Sequence, residues 1–135
     1  MAYMTQEMAT ESERPVLCCD PEPDSRRQIT EKLDSFGYSV LSTGNPQIAS
    51  ALIQEQSFAA LVVSLQKMTL SAISVAIEAR RLKPNLPIVV LFNEHGLYSL
   101  PTGLADLVLV KPSDHTFRES LRVLAAPRQP ASLAS

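Results

Sequence analysis

The residues able to do chemistry in this 135-residue chain sit in short polar clusters, each at the end of an apolar run. Asp20, Glu22 and Asp24 crowd into DPEPD after VLCC; Ser64 closes ALVVS, with Lys67 three residues on; Phe92 and Asn93 end PIVVLFN; Lys111 and Pro112 follow LVLV. Carboxylates are ligands for hard cations, and a serine hydroxyl becomes a nucleophile once a base takes its proton. No histidine stands in these clusters, so Ser64 has no evident activator. Cys18 and Cys19 are adjacent inside an apolar run; on a strand they point to opposite faces, which suits neither a mutual disulfide nor a metal site. They read as buried thiols of a cytoplasmic protein. Only four glycines are present and none forms G-x-G, so no glycine-rich phosphate cradle follows a strand.

The elements that must position these groups alternate. PVLCC is a strand, and DSRRQITEKLDSF is a helix with Asp24 as its cap, Ile29, Leu33 and Phe36 on one face and Gly37 as its stop. YSVLS is a second strand. NPQIASALIQEQ is a helix opened by Asn45 and Pro46, with an apolar stripe of Ile48, Leu52 and Ile53. FAALVVS, PIVVLF and DLVLV are three further strands, continuous rather than alternating, as strands covered on both faces are. LSAISVAIEARRL is a helix with Ile73 and Ile77 inward, and DHTFRESLRVLA closes the domain with Phe117, Leu121 and Leu124 inward. Alternation of this kind predicts one α/β domain over residues 14–126, a doubly wound parallel sheet with right-handed crossovers. Residues 1–13 lack periodicity and are expected to be a disordered tail, and residues 127–135 a flexible tail or linker.

Composition narrows the function classes. Hydrophobic residues make up 45% and charged residues 19%, a globular balance, and the net charge of -2 carries no basic footprint for nucleic acid. No apolar run is long enough to span a membrane, and the amino terminus lacks the form of a secretory signal. In open α/β sheets ligands gather outside the carboxyl ends of the strands, which is where the four clusters fall.

Those clusters, in that order, resemble the receiver domain of two-component response regulators over residues 15–125. VLCCDPEPDSRR resembles the family's first strand, acidic cluster and helix start; FGYSVLST its turn into the second strand; LVLVKP its lysine-proline pair. The resemblance implies a three-layer flavodoxin-like (βα)5 fold with strand order 2-1-3-4-5, Ser64 at the place of the phosphoaccepting aspartate, and Lys111 as the phosphate-contacting cation before a Pro112 bond that is usually cis. It also exposes departures. Ser64 replaces the acceptor carboxylate, Pro21 replaces the second acid of the Mg²⁺ pair beside Asp20, Phe92 replaces the switch hydroxyl and Val108 the switch aromatic. Glu22 is the one nearby acid that could reach in, and Lys67 could place a charge where Mg²⁺ would sit.

The expectation is a degenerate receiver: no enzyme, no cofactor, no phosphotransfer, and action through contacts with a histidine kinase, an output domain, another regulator or a second copy, without direct contact to nucleic acid or membrane. Asp20 and Lys111 are expected to pair across the pocket. The segment between Phe92 and Lys111 is short and holds Gly96, Pro101 and Gly103, which predicts a fourth helix of one or two turns or none. Leu97, Tyr98, Leu100 and Val108 are the candidate partner surface. Two alternatives stay open: a receiver with a non-standard acceptor such as a modified Ser64, and a flavodoxin-like small-molecule binder.

Overall fold

The computed structural model describes residues 14–65, 70–93 and 100–125. Lys67, Gly96, Leu97, Tyr98 and both predicted tails lie outside the described residues. The elements run β1 (Val16–Cys19), α1 (Pro23–Ser35), β2 (Val40–Thr43), α2 (Pro46–Glu55), β3 (Ala60–Leu65), α3 (Leu70–Leu82), β4 (Ile88–Phe92), β5 (Leu107–Val110) and α4 (Asp114–Leu124). All strands pair in parallel in the order β2-β1-β3-β4-β5, the flavodoxin-like arrangement predicted. Residues 100–106 form turns rather than a helix, so four helices are present among the described residues.

Period-2 alternation splits the sheet's side chains into two half-cores. Cys19, Leu61, Val63, Leu65 and Phe92 face α2 and α3, whereas Cys18, Val62, Val89 and Leu91 face α1 and α4. Both thiols are free and buried, one in each half-core. Burial, with the nearby Asp20 carboxylate, pushes Cys18 up to about 12 and Cys19 up to about 11, so both stay protonated and unreactive.

Helix ends follow local chemistry. Asn45 caps α2, its side chain accepting from the Gln47 and Ile48 amides at 2.8 and 3.3 Å, and Ser113 caps α4 through the Thr116 amide at 3.1 Å. Gly37 ends the turn after α1 with a φ of 102°, where a Cβ would be strained. Asp24 is not the cap of α1. The helix starts a residue earlier at Pro23, after Glu22, and the carboxylate that shapes the entry is Asp20, whose Oδ1 accepts the Glu22 amide at 2.9 Å.

Three packing expectations are corrected. Ile48 and Ile77 are each 50% exposed, because Ala49 with Ile53 and Ile73 with Ala76 and Ala79 set the inward phase of their helices. The adjacent isoleucines are rotated by about 100° out of it. Strand β5 is not covered on both faces: Leu107 and Leu109 are half-buried but Val108 and Val110 are 43% and 37% exposed. Its place at the sheet edge, paired with β4 alone, accounts for this. Leu100, expected on a partner surface, is half-buried and packs against the α2–α3 half-core.

At the amino edge of the sheet Arg80 joins three segments. Nη1 donates to the Pro84 and Leu86 carbonyls at 2.8 and 3.3 Å, and Nη2 to the Leu104 carbonyl at 3.2 Å and Asp106 Oδ2 at 3.0 Å. The same carboxylate oxygen accepts the Ile88 amide at 2.8 Å. Partial burial pushes the Asp106 carboxyl up, but the Ile88 amide and the Arg80 guanidinium outweigh it and hold it below its ordinary 3.8. A carboxyl lowered on folding contributes stability that is present above the unfolded value and lost as pH falls through the folded one. Asp106→Asn should therefore lower stability by about 1 kcal/mol or less near pH 7, since the group is partly exposed and screened. It should also flatten the wild type's decline below about pH 4, as read from urea midpoints across that range.

Candidate functional site

Alternation decides what reaches the carboxyl edge. Cys18 and Val62 face α1, so Asp20 and Ser64, two residues on, share that side; Leu91 places Asn93 there too. Phe92 is one residue out of step. It is fully buried in the α2–α3 half-core, so the side chain expected at the switch position is not part of this site.

What stands in its place is Asn93. Its Nδ2 donates to Ser64 Oγ at 2.8 Å and to Ser25 Oγ on α1 at 3.3 Å, tying β3, β4 and α1 together. Ser64 is fully buried beneath this amide. Asn93 also lines two adjoining clefts, one of about 370 Å³ with Glu22, Ser25, Gln28 and Lys32, the other of about 220 Å³ with Lys111, Pro112 and Phe117.

Asp20 is fully buried as well. Its Oδ1 is taken by the Glu22 amide, and its Oδ2 accepts no hydrogen bond. The Arg26 guanidinium bonds the Asp20 backbone carbonyl at 2.9 Å and lies over Gly44. A Cβ at Gly44 would displace Arg26 Nη1 and press on the Asp20 carbonyl at 3.2 Å, so the glycine leaves room for the guanidinium to sit against that carbonyl.

Lys111 does not pair with Asp20. It is exposed, with no ion pair to any described carboxylate, and takes a positive φ of 43°, a region L residues rarely occupy. Lys111 lines the cleft shared with Asn93 and Phe117. The bond to Pro112 is trans, since no described peptide is cis. Pro21 and Glu22 are exposed at the rim. The residues brought together are thus Asp20, Ser25, Ser64 and Asn93, with Lys111 at the margin; Pro21 and Phe92 contribute no polar atom.

No protein-family model and no curated protein matches the sequence. Solved structures do match in fold. The response regulator TrrA from Thermotoga maritima, in complex with Mg²⁺-BeF, superposes with a TM-score of 0.72 at 23% identity, over 82% of this chain and 98% of that one. A CheY-like receiver domain protein from Methanospirillum hungatei gives 0.67 at 18% identity, over 84% and 97%. This is the receiver fold. TrrA is also similar in its complex with the histidine kinase ThkA, with a TM-score of 0.70 at 23% identity over 82% and 97%. The shared features are the parallel five-stranded sheet in the order 2-1-3-4-5 and its flanking helices.

Receivers imply a Mg²⁺ ion, and the donor set here does not fit one. Magnesium asks for near-octahedral hard oxygens. Asp20 supplies one carboxylate, half of it already committed to the Glu22 amide, and Pro21 has no side-chain oxygen. Ser64 Oγ accepts from an amide whose hydrogens point into the space between it and Ser25, a donor where a cation needs acceptors. Among the described residues no group of three His, Cys, Asp or Glu converges. Asp20 Oδ2 is a buried oxygen without a hydrogen-bond partner, and one such atom does not make a site. The sequence offers Asn93 as a candidate beside Phe92 at the end of β4, whereas Ser25, Arg26 and Gly44 carry no such mark. Period-2 counting from Leu91 would have placed Asn93; the contacts of Ser25 and of Arg26 with Gly44 join separate elements and carry no local signal.

Proposed function

We propose that the protein is a receiver-like module of two-component signalling that is not phosphorylated and acts through protein contacts. The observation that carries this reading is Ser64, fully buried at the acceptor place with its hydroxyl held by Asn93. Phosphoryl transfer to serine needs an accessible hydroxyl and a base beside it; Asn93 is a donor here and no base. The same burial argues against the alternative in which a kinase modifies Ser64. The module has no catalytic role of its own, and a cytoplasmic location accompanies it: both thiols are free, and no described helix is long and apolar enough to cross a membrane.

A protein partner is the expected ligand. A receiver of this fold, TrrA, is known in complex with a histidine kinase. The edge strand β5 exposes Val108 and Val110 on the face away from α1 and α4, an apolar strip available to a partner without a switch to uncover it. Adding beryllofluoride with Mg²⁺ should leave the amide NMR signals of Asp20, Asn93 and Lys111 where they are, because neither the metal nor the acceptor oxygen is provided. Saturable shifts at those three amides would contradict the proposal.

A further inference from the structure

The helix starts whose caps are described differ in how they are held. Asn45 and Ser113 each turn a side-chain oxygen onto first-turn amides of α2 and α4, whereas Glu22, before α1, makes no such bond. The start of α1 is tied from other residues instead. Asp20 Oδ1 takes the Glu22 amide, Arg26 reaches back to the Asp20 carbonyl, and Ser25 Oγ accepts from Asn93. The first two ties run to the end of β1, the strand that leads into the helix. The third crosses to the end of β4 and, through Ser64, to β3.

The backbone fixes where that third tie begins. The Asn93 amide donates to the Leu65 carbonyl at 2.8 Å, extending the β3–β4 ladder past Phe92. A side-chain amide nitrogen carries two hydrogens, and Asn93 spends them on Ser64 and Ser25. The same side chain partitions the edge. Asn93 lines both of the adjoining clefts, while Ser64 and Asp20, each fully buried, line neither.

We propose that the Asn93 amide is an autoinhibitory latch, which replaces the missing cap of α1 and shuts both clefts off from Ser64 and Asp20. The inference rests on the functional reading above and names what keeps its acceptor place closed. Amide hydrogen exchange on the full chain tests it with no phosphodonor present, so a failure here is the latch's alone. The amides of Arg26, Ala49 and Phe117 donate to the Glu22, Asn45 and Ser113 carbonyls, closing the first turns of α1, α2 and α4 in the same way. Asn93→Ala should speed exchange at Arg26 about tenfold and Ser25→Ala about fivefold, the loss of ordinary hydrogen bonds, while Ala49 and Phe117 stay within about twofold of wild type. A neutral gadolinium chelate in solution should broaden the Ser64 β protons in Asn93→Ala and leave them sharp in the wild type. An amide that only satisfies Ser64 would leave Arg26 exchange unchanged in Ser25→Ala, and that result would overturn the latch. Equal acceleration at all three first turns, or a Ser64 still shielded in Asn93→Ala, would overturn it too. Should Asn93→Ala not fold, Ser25→Ala, a change at a half-buried position, decides alone.

Discussion

Incubated with acetyl phosphate and Mg²⁺, the protein will gain no phosphoryl group, and the Ser64→Asp variant will gain none either. The wild type fails because the hydroxyl at the acceptor place is buried and bonded to Asn93, and because a serine without a base is a poor nucleophile. The variant restores the nucleophile but not its surroundings. A carboxylate at position 64 would enter the same buried space as Asp20 with no cation between them, and like charges at close range disfavour the ionised form that attack requires. Pro21 still supplies no metal ligand, and the amide of Asn93 still occupies the approach. Intact mass before and after hydroxylamine treatment reads the result directly. A phosphodonor-dependent, hydroxylamine-labile mass gain in the wild type would remove the proposed function. The same gain in Ser64→Asp alone would show that the acceptor residue is the sole defect and that Pro21 and Asn93 matter little.

The second large effect belongs to Phe92. Truncation to alanine should cost roughly 3–5 kcal/mol, the range for deleting a fully buried aromatic side chain. Typical domain stabilities are about 5–15 kcal/mol, so Phe92→Ala should move the urea midpoint far toward zero at an unchanged slope. Receivers carry a hydroxyl residue at the corresponding place, facing their pocket. Here the side chain is turned to the α2–α3 half-core and is fully buried there. A loss below about 1 kcal/mol would be the behaviour of a residue lining a solvent-accessible cleft instead, and would place Phe92 back at the carboxyl edge.

Much of the architecture is legible in the sequence because its signals are local. Asn45 before Pro46, Gly37 after Phe36 and the uninterrupted apolar runs of β3 and β4 each determine their element from within a few residues. Strand order follows from the receiver resemblance. The site is less legible, since its chemistry turns on the phase of single residues. The receiver resemblance puts Phe92 at the switch position, but the alternation that sends Leu91 toward α1 sends Phe92 the other way and Asn93 into the pocket. Likewise Asp20 and Lys111 lie on the same edge of the sheet, but β3 and β4 stand between the strands they follow. Lys111 turns through a left-handed backbone conformation and is exposed, while Asp20 is buried with one carboxylate oxygen on the turn into α1 and the other unpaired. Ile48 and Ile77 were misplaced for a related reason: small alanines set the contact phase of both helices, and hydrophobicity alone favours the larger neighbour.

The adjacent thiols make the two layers of this protein separately observable. Cys18 reports on the layer of α1 and α4 and Cys19 on that of α2 and α3, although one peptide bond joins them. Neither can be alkylated while packed, so the trapping rate of each is set by how often its own layer opens. A partner that clamps one side of the sheet would slow one cysteine and spare the other. The chain thus contains a native two-channel label that can tell from which side it is held, with no dye or engineered residue required.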